Sequence, residues 1–263
     1  MKVLLFSDLH YTLGRKIHGR WPAESLRRAI AHARDHHGDA DCCVILGDLT
    51  DSGMESEYRG LADDLGALPF PHRIMLGNHD DRNNFVRVFG TDGVDDSGYV
   101  QSVMDIGPYR FVLLDTHTPG QEWGTLDGGR LLWLDTALAR SDRPCVICLH
   151  HPPIPTALPA FDGIGLRGSD SFVAVLEKHR PVVRQILSGH CHMSIGGNLA
   201  GIPVFGVTSL LYQALPNFSD DHFLDGPGLT AAYGLAVADE GHFTIHTVPF
   251  EYSGDVVSSG EQP

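Results

Sequence analysis

The chain has 263 residues, 42% hydrophobic and 20% charged, with a formal charge of −14. That is ample apolar material for a core. Its negative field repels a bound DNA or RNA polymer but leaves a small phosphoester possible, because bound metal ions would cancel part of the charge. With no apolar run near the roughly 20 residues of a membrane span and no basic-then-apolar leader before Lys2, the expected location is the cytoplasm, off the membrane.

Lys2 to Phe6 predicts a short strand that stops at Ser7-Asp8. Pro22 to His37 sets Leu26, Ala29, Ile30 and Ala33 on one helical stripe, with Pro22 in the first turn. Asp41 to Leu46 predicts a second buried strand. Met54, Tyr58, Leu61 and Leu65 mark another helix face, and Arg73 to Leu76 a third strand, stopped by Gly77. Val100 to Ile106 and Tyr109 to Leu114, joined by Gly107-Pro108, predict a hairpin. Helices are expected over Leu131 to Ala139 and Phe172 to His179, and strands over Pro144 to Leu149 and Val183 to Leu187. Beyond His192, the stretches Ser194 to Val207 and Ala231 to Val248 predict short strands with glycine turns. The mixture points to two facing sheets with helices outside, in one domain over residues 1–250, followed by a polar tail over residues 251–263.

The cysteines are Cys42, Cys43, Cys145, Cys148 and Cys191, an odd number set largely in apolar runs, which favours buried reduced thiols over disulfides. Cys145 and Cys148 form a C-x-x-C, but in a strand these positions face opposite ways.

Five motifs each begin where an apolar run stops: Asp8-Leu9-His10, Gly47-Asp48-Leu49-Thr50-Asp51, Gly77-Asn78-His79-Asp80, His150-His151-Pro152 and Gly189-His190-Cys191-His192. Any one of them alone reads as a turn, a helix cap or a polar loop. Together they place carboxylates, imidazoles and an amide at strand ends, where an α/β sheet gathers its ligand sites. Asp8, His10, Asp48, Asn78, His150, His190 and His192 are too many ligands for one ion; shared between two with one bridging carboxylate, they give each four. Oxygen and imidazole donors favour Mn, Fe, Co or Zn. His151 is expected to turn away from the ligands, because strand alternation opposes it to His150.

This ordered motif set resembles the calcineurin-like metallophosphoesterases over about residues 1 to 210, and within them the class III cyclic nucleotide phosphodiesterases and bacterial glycerophosphodiesterases. The resemblance implies a four-layer α/β/β/α sandwich with two mixed β-sheets and a dinuclear centre. It assigns one metal to Asp8, His10, Asp48 and His192, the second to Asp48, Asn78, His150 and His190, and makes His79 the catalytic histidine, with Asp80 able to orient it. Purple acid phosphatases place a Tyr ligand three residues after the bridging Asp, where this chain has Asp51. Protein phosphatases carry an Arg and a closing Glu where it has Ser52 and Asp80. Both departures point to the phosphodiesterase branch. Asp51 either supports the loop around Asp48 or serves a turn.

The expected reaction is hydrolysis of a small phosphodiester by a metal-bound hydroxide, with His79 delivering a proton to the leaving oxygen. Cyclic nucleotides, glycerophosphodiesters, aryl diesters and phosphonate monoesters are the open substrate classes. A phosphomonoesterase or nucleotide hydrolase on the same site is the alternative; a non-catalytic scaffold is disfavoured because all seven ligands and His79 are present. For the substrate, the resemblance places Tyr11, His18 and Trp21 and the segment from Leu210 to Gly228 with His222 near the pocket, beside Asn78 and His79, and Phe161 to Gly168 near the pocket or a subunit contact. It also suggests a homo-oligomer, a dimer or higher.

Overall fold

The computed structural model describes residues 1–252; the rest of the predicted polar tail lies outside the described residues. In chain order the elements are β1 (Lys2–Phe6), α1 (Pro22–His37), β2 (Cys42–Ile45), α2 (Glu55–Leu65), β3 (His72–Ile74), α3 (Arg82–Phe89), β4 (Ser102–Ile106), β5 (Tyr109–Leu113), β6 (Gly124–Thr125), α4 (Gly128–Ala139) and β7 (Cys145–Cys148). They continue with α5 (Pro159–Asp162), β8 (Leu166–Arg167), α6 (Ser169–Lys178), β9 (Val183–Ser188), β10 (Ile195–Leu199), β11 (Ile202–Gly206), β12 (Gln213–Leu215), β13 (Leu224–Gly226), β14 (Ala232–Ala238) and β15 (Phe243–Pro249).

Two mixed sheets carry the fold, in the orders β15-β14-β1-β2-β3 and β10-β11-β9-β7-β5-β4. In the first, β1, β2 and β3 run parallel; in the second, β5, β7, β9 and β11 do. Period-two alternation gives each central strand two buried faces. From the first sheet, Leu4, Phe6, Cys43 and Ile45 pack against Leu26, Ile30, Tyr58 and Leu61 of α1 and α2. Val3, Leu5 and Val44 face inward instead, onto Phe111, Leu113, Val146 and Leu187 of the second sheet. On the far side, Val112, Ile147 and Ile186 meet Leu134, Leu138, Phe172 and Leu176 of α4 and α6. The layers are therefore α/β/β/α, the expected sandwich.

Cys145 packs toward the outer helices and Cys148 between the sheets, as strand alternation requires, and all five thiols are free and buried. Among the described residues, no helix is long and apolar enough to cross a membrane. Two features were not anticipated. Helix α3 starts directly after the third motif, capped by the Asp81 side chain accepting from the Asn84 amide at 2.8 Å. Strands β12 and β13 form a two-stranded arm separate from both main sheets.

Candidate metal centre

The five motif loops leave the carboxyl ends of β1, β2 and β3 in one sheet and of β7 and β9 in the other. They meet where the two sheet edges face each other. Backbone bonds tie them together: the Asp8 amide donates to the Gly47 carbonyl at 3.2 Å, the His10 amide to the Asp48 carbonyl at 2.9 Å, and the Gly189 amide to the His150 carbonyl at 3.0 Å.

The backbone is strained at this junction. Asp8, His10, Asp48, His190 and His192 all have positive φ, between 43° and 74°. For a residue with a Cβ this region costs about 1–3 kcal/mol, and such strain concentrates at functional sites. It re-aims each side chain out of its strand direction into one space. Two glycines let the loops approach closely enough. A Cβ on Gly47, whose φ is +92°, would lie 2.6 Å from His150 Nδ1. One on Gly77 would lie 2.2 Å from Asp48 Oδ1.

The side chains fall into two groups around Asp48. In the first, His10 Nε2 lies 2.9 Å from His192 Nε2, His192 Nε2 lies 3.5 Å from Asp8 Oδ1, and His10 Nε2 lies 3.7 Å from Asp48 Oδ2. In the second, His150 Nε2 lies 3.4 Å from the same Asp48 Oδ2, 3.2 Å from Asn78 Oδ1 and 3.2 Å from His190 Nδ1. With bonds of about 2.0–2.2 Å, neighbouring ligand atoms around one ion stand about 3.0–3.6 Å apart. Most of these separations lie in that range, so the groups could hold metal ions, and Asp48 Oδ2 faces donors of both.

Hydrogen bonds behind the donors fix their direction. The Leu46 carbonyl accepts from His150 Nδ1 at 2.7 Å, which aims Nε2 at the site. The His190 amide donates to Asp8 at 3.0 Å, and the His79 amide to Asp48 Oδ1 at 3.0 Å. Burial followed by the charge of His150 pushes His190 down to about 3, and burial followed by the charge of His10 holds His192 well below its ordinary value. Both rings are thus neutral and present lone pairs. Burial works to raise the Asp48 carboxyl, but the positive His150 and His79 overcome it and keep it ionised. Asp8 is lifted by burial to about 6, against the pull of His150.

His151 lies against the group, its ring centre 4.9 Å from that of His190. Its Nδ1 pairs with the Thr116 hydroxyl at 2.7 Å and its Nε2 with the Glu122 carbonyl at 3.2 Å, contacts that give both nitrogens protein partners.

His79 sits at the edge of this group, its side chain 40% exposed. The expectation that Asp80 orients it requires correction. Asp80 points back into the loops, accepting from the Gly77 amide at 2.8 Å, the Leu49 amide at 3.1 Å and the Tyr58 hydroxyl at 2.9 Å. The partner of His79 is Asp51, whose carbonyl accepts from His79 Nδ1 at 3.0 Å. The Asp51 carboxylate also faces His10 Nδ1 at 3.3 Å and pairs with Arg15. Asp51 thus holds both His10 and His79, a stronger role than the turn left open by the sequence.

A cleft of about 170 Å³ opens over the group. His10, Asp48, Asn78, His79, His190 and His192 form its floor, and Glu122, Phe161, Ile164, Tyr212, Ala214, Phe223 and Asp225 its walls. His18 stands behind the wall, edge-on to Tyr212 at 4.7 Å and 3.3 Å from Asp225. His222 is not brought to the cleft: its side chain is 81% exposed and pairs with Asp220, because the turn between β12 and β13 carries it outward. Tyr212, Glu122 and Asp225 were not singled out and no motif marks them: Tyr212 and Asp225 come with the β12–β13 arm, Glu122 with the loop before β6.

Residues 1–194 match the family described as calcineurin-like phosphoesterase. A probable cyclic nucleotide phosphodiesterase of Rhodopseudomonas palustris is 33% identical, covering 98% of this chain and 96% of its own. A probable glycerophosphodiester phosphodiesterase of Arcobacter nitrofigilis is 28% identical over 64% of this chain and 63% of its own. A dimetal phosphatase from Danio rerio superposes with a TM-score of 0.73 at 17% identity, over 95% of this chain and 96% of its own.

Proposed function

The chain belongs to the calcineurin-like phosphoesterase family, and from that premise we propose that it is a phosphodiesterase that hydrolyses small diesters with two metal ions. The supporting observation is the single Asp48 oxygen lying 3.7 Å from a donor of one group and 3.4 Å from a donor of the other. Asp8, His10, Asp48 and His192 would hold one ion, and Asp48, Asn78, His150 and His190 the second. Mn, Fe, Co and Zn all suit these donors. Such a pair acidifies water and neutralises phosphate charge.

The chain's own groups do the rest. Asn78 borders the cleft and can position a phosphate oxygen by its amide. His79 donates its Nδ1 proton to the Asp51 carbonyl, so its Nε2 is the atom left to pass a proton to the leaving alkoxide. Asp51 fixes that ring and steadies His10 at once.

Diesters are favoured over monoesters by the walls. Among the described residues, no Lys or Arg lines the cleft. A monoester dianion would therefore meet no fixed side-chain cation of the Lys or Arg kind, whereas a diester monoanion asks for less compensation. The names of the two relatives agree with a diester of nucleotide or glycerol type.

The test is a panel on Mn-reconstituted protein: 4-nitrophenyl phosphate, bis(4-nitrophenyl) phosphate, cyclic AMP and a glycerophosphodiester. Diester turnover should dominate. A strong preference for 4-nitrophenyl phosphate would overturn the reading.

A further inference from the structure

We propose that the chain pairs with a second copy of itself along the open edge of the second sheet, β4 against β4, the two molecules related by a dyad. Strand β4 ends that sheet, bonded to β5 on one side and, among the described residues, to no strand on the other. An open edge is a template for another strand, and proteins commonly block it with lysine, proline or an unpaired charge. Ser102–Ile106 contains no Lys or Pro, and its one charge, Asp105, is held across the hairpin by Arg110 at 2.8 and 3.0 Å. Beside this edge a groove of about 650 Å³ runs between β4 and helix α4. Its middle is apolar: Val103 is 46% exposed and Leu132 66%, with Trp133 next to them.

The groove has two unlike ends. Asp95 and Asp96 stand at the start of β4, where the Asp95 carboxylate accepts from the Gln101 side-chain amide at 2.6 Å. The start of α4 is tied to the same end, because the Tyr99 hydroxyl donates to its capping Asp127 at 2.6 Å. Arg110 and Arg140 stand at the far end, where the Arg110 guanidinium donates to the Arg140 carbonyl at 3.3 Å. Strand and helix therefore run the same way, acidic at their beginnings and basic at their ends. Asp96 and Arg140 are both exposed, and among the described residues neither side chain has an ion-pair partner. A two-fold axis turns the partner end for end. Antiparallel pairing of β4 with its copy thus sets the acidic end of each molecule against the basic end of the other, and brings both Leu132 side chains toward the axis. A surface that complements itself under a dyad favours a second copy over an unrelated partner.

The deciding experiment is sedimentation equilibrium of the full chain over about 1–100 μM protein, with circular dichroism to confirm that each variant folds. The parent should sediment at twice its 28.6 kDa. Leu132→Glu places like charges together at the axis and should weaken association by at least about tenfold. Asp96→Arg and Arg140→Asp should each weaken it, and the double swap, which restores opposite signs across the dyad, should recover it. Recovery requires Asp96 of one copy to meet Arg140 of the other, so a merely local disturbance by each substitution would not produce it. A parent that stays monomeric over that range, which would leave the groove to an unrelated partner, overturns the proposal. So does a dimer that Leu132→Glu leaves intact, or a pair of weakened single variants that the double swap does not rescue. The readout is mass, so it stands apart from the outcome of the substrate panel.

Discussion

Gly77→Ala tests how tightly the loops must close on the centre. A Cβ there would lie 2.2 Å from Asp48 Oδ1 and 2.4 Å from the Asp48 amide nitrogen, about 0.8 Å inside the 3.0 Å that real Cβ contacts keep. The neighbour is backbone plus a short carboxylate, so no flexible end can swing clear. Either Asp48 is driven off, which pulls Oδ2 out of line with His10 and His150, or the β3 loop retreats and takes Asn78 and His79 with it. A displacement near 1 Å costs about a hundredfold in turnover. It should also weaken metal retention, because Asp48 serves both donor groups. The assay is metal content after gel filtration alongside kcat/KM for bis(4-nitrophenyl) phosphate, with circular dichroism to confirm folding. A folded Gly77→Ala protein with the parent's metal content and turnover would refute the reasoning.

Two further outcomes follow from the same geometry. His79→Ala should keep its metal and lose about 10²–10⁴ in kcat, most for diesters with poor leaving groups; unchanged kcat on such diesters removes His79 from the chemistry. Asp80→Ala strands the amides of Gly77 and Leu49 and the Tyr58 hydroxyl, all paired to that buried carboxylate. At about 1–3 kcal/mol for each buried group left without a partner, urea denaturation should show a loss of at least about 3 kcal/mol; a loss under about 1 would deny Asp80 its anchoring role.

The convergence of the seven donor residues was legible because each motif begins where a strand ends, and parallel strands bring those ends to a common edge. The sequence did not reveal that two sheet edges, rather than one, meet there. That depends on how Val3, Leu5 and Val44 pack against Phe111 and Val146. Asp80 was misread because it adjoins His79 in the chain. Adjacent side chains diverge, and the left-handed turn at Asp48 instead swings Asp51 beneath His79. His222 was misread for a related reason. A histidine within a segment over the cleft can sit at the outer tip of a hairpin, and nothing in the composition of 216–223 distinguishes tip from wall. Helix α3 was missed because it is only eight residues long, although Phe85, Val88 and Phe89 fall at helical spacing and pack on the core.

Counting ions reaches the central claim most directly. Protein stripped with chelator, reloaded with Mn and analysed by mass spectrometry of the metal should hold two ions per chain, and folded Asp48→Ala protein almost none. One ion per chain in the parent, or two retained without the Asp48 carboxylate, would contradict the account.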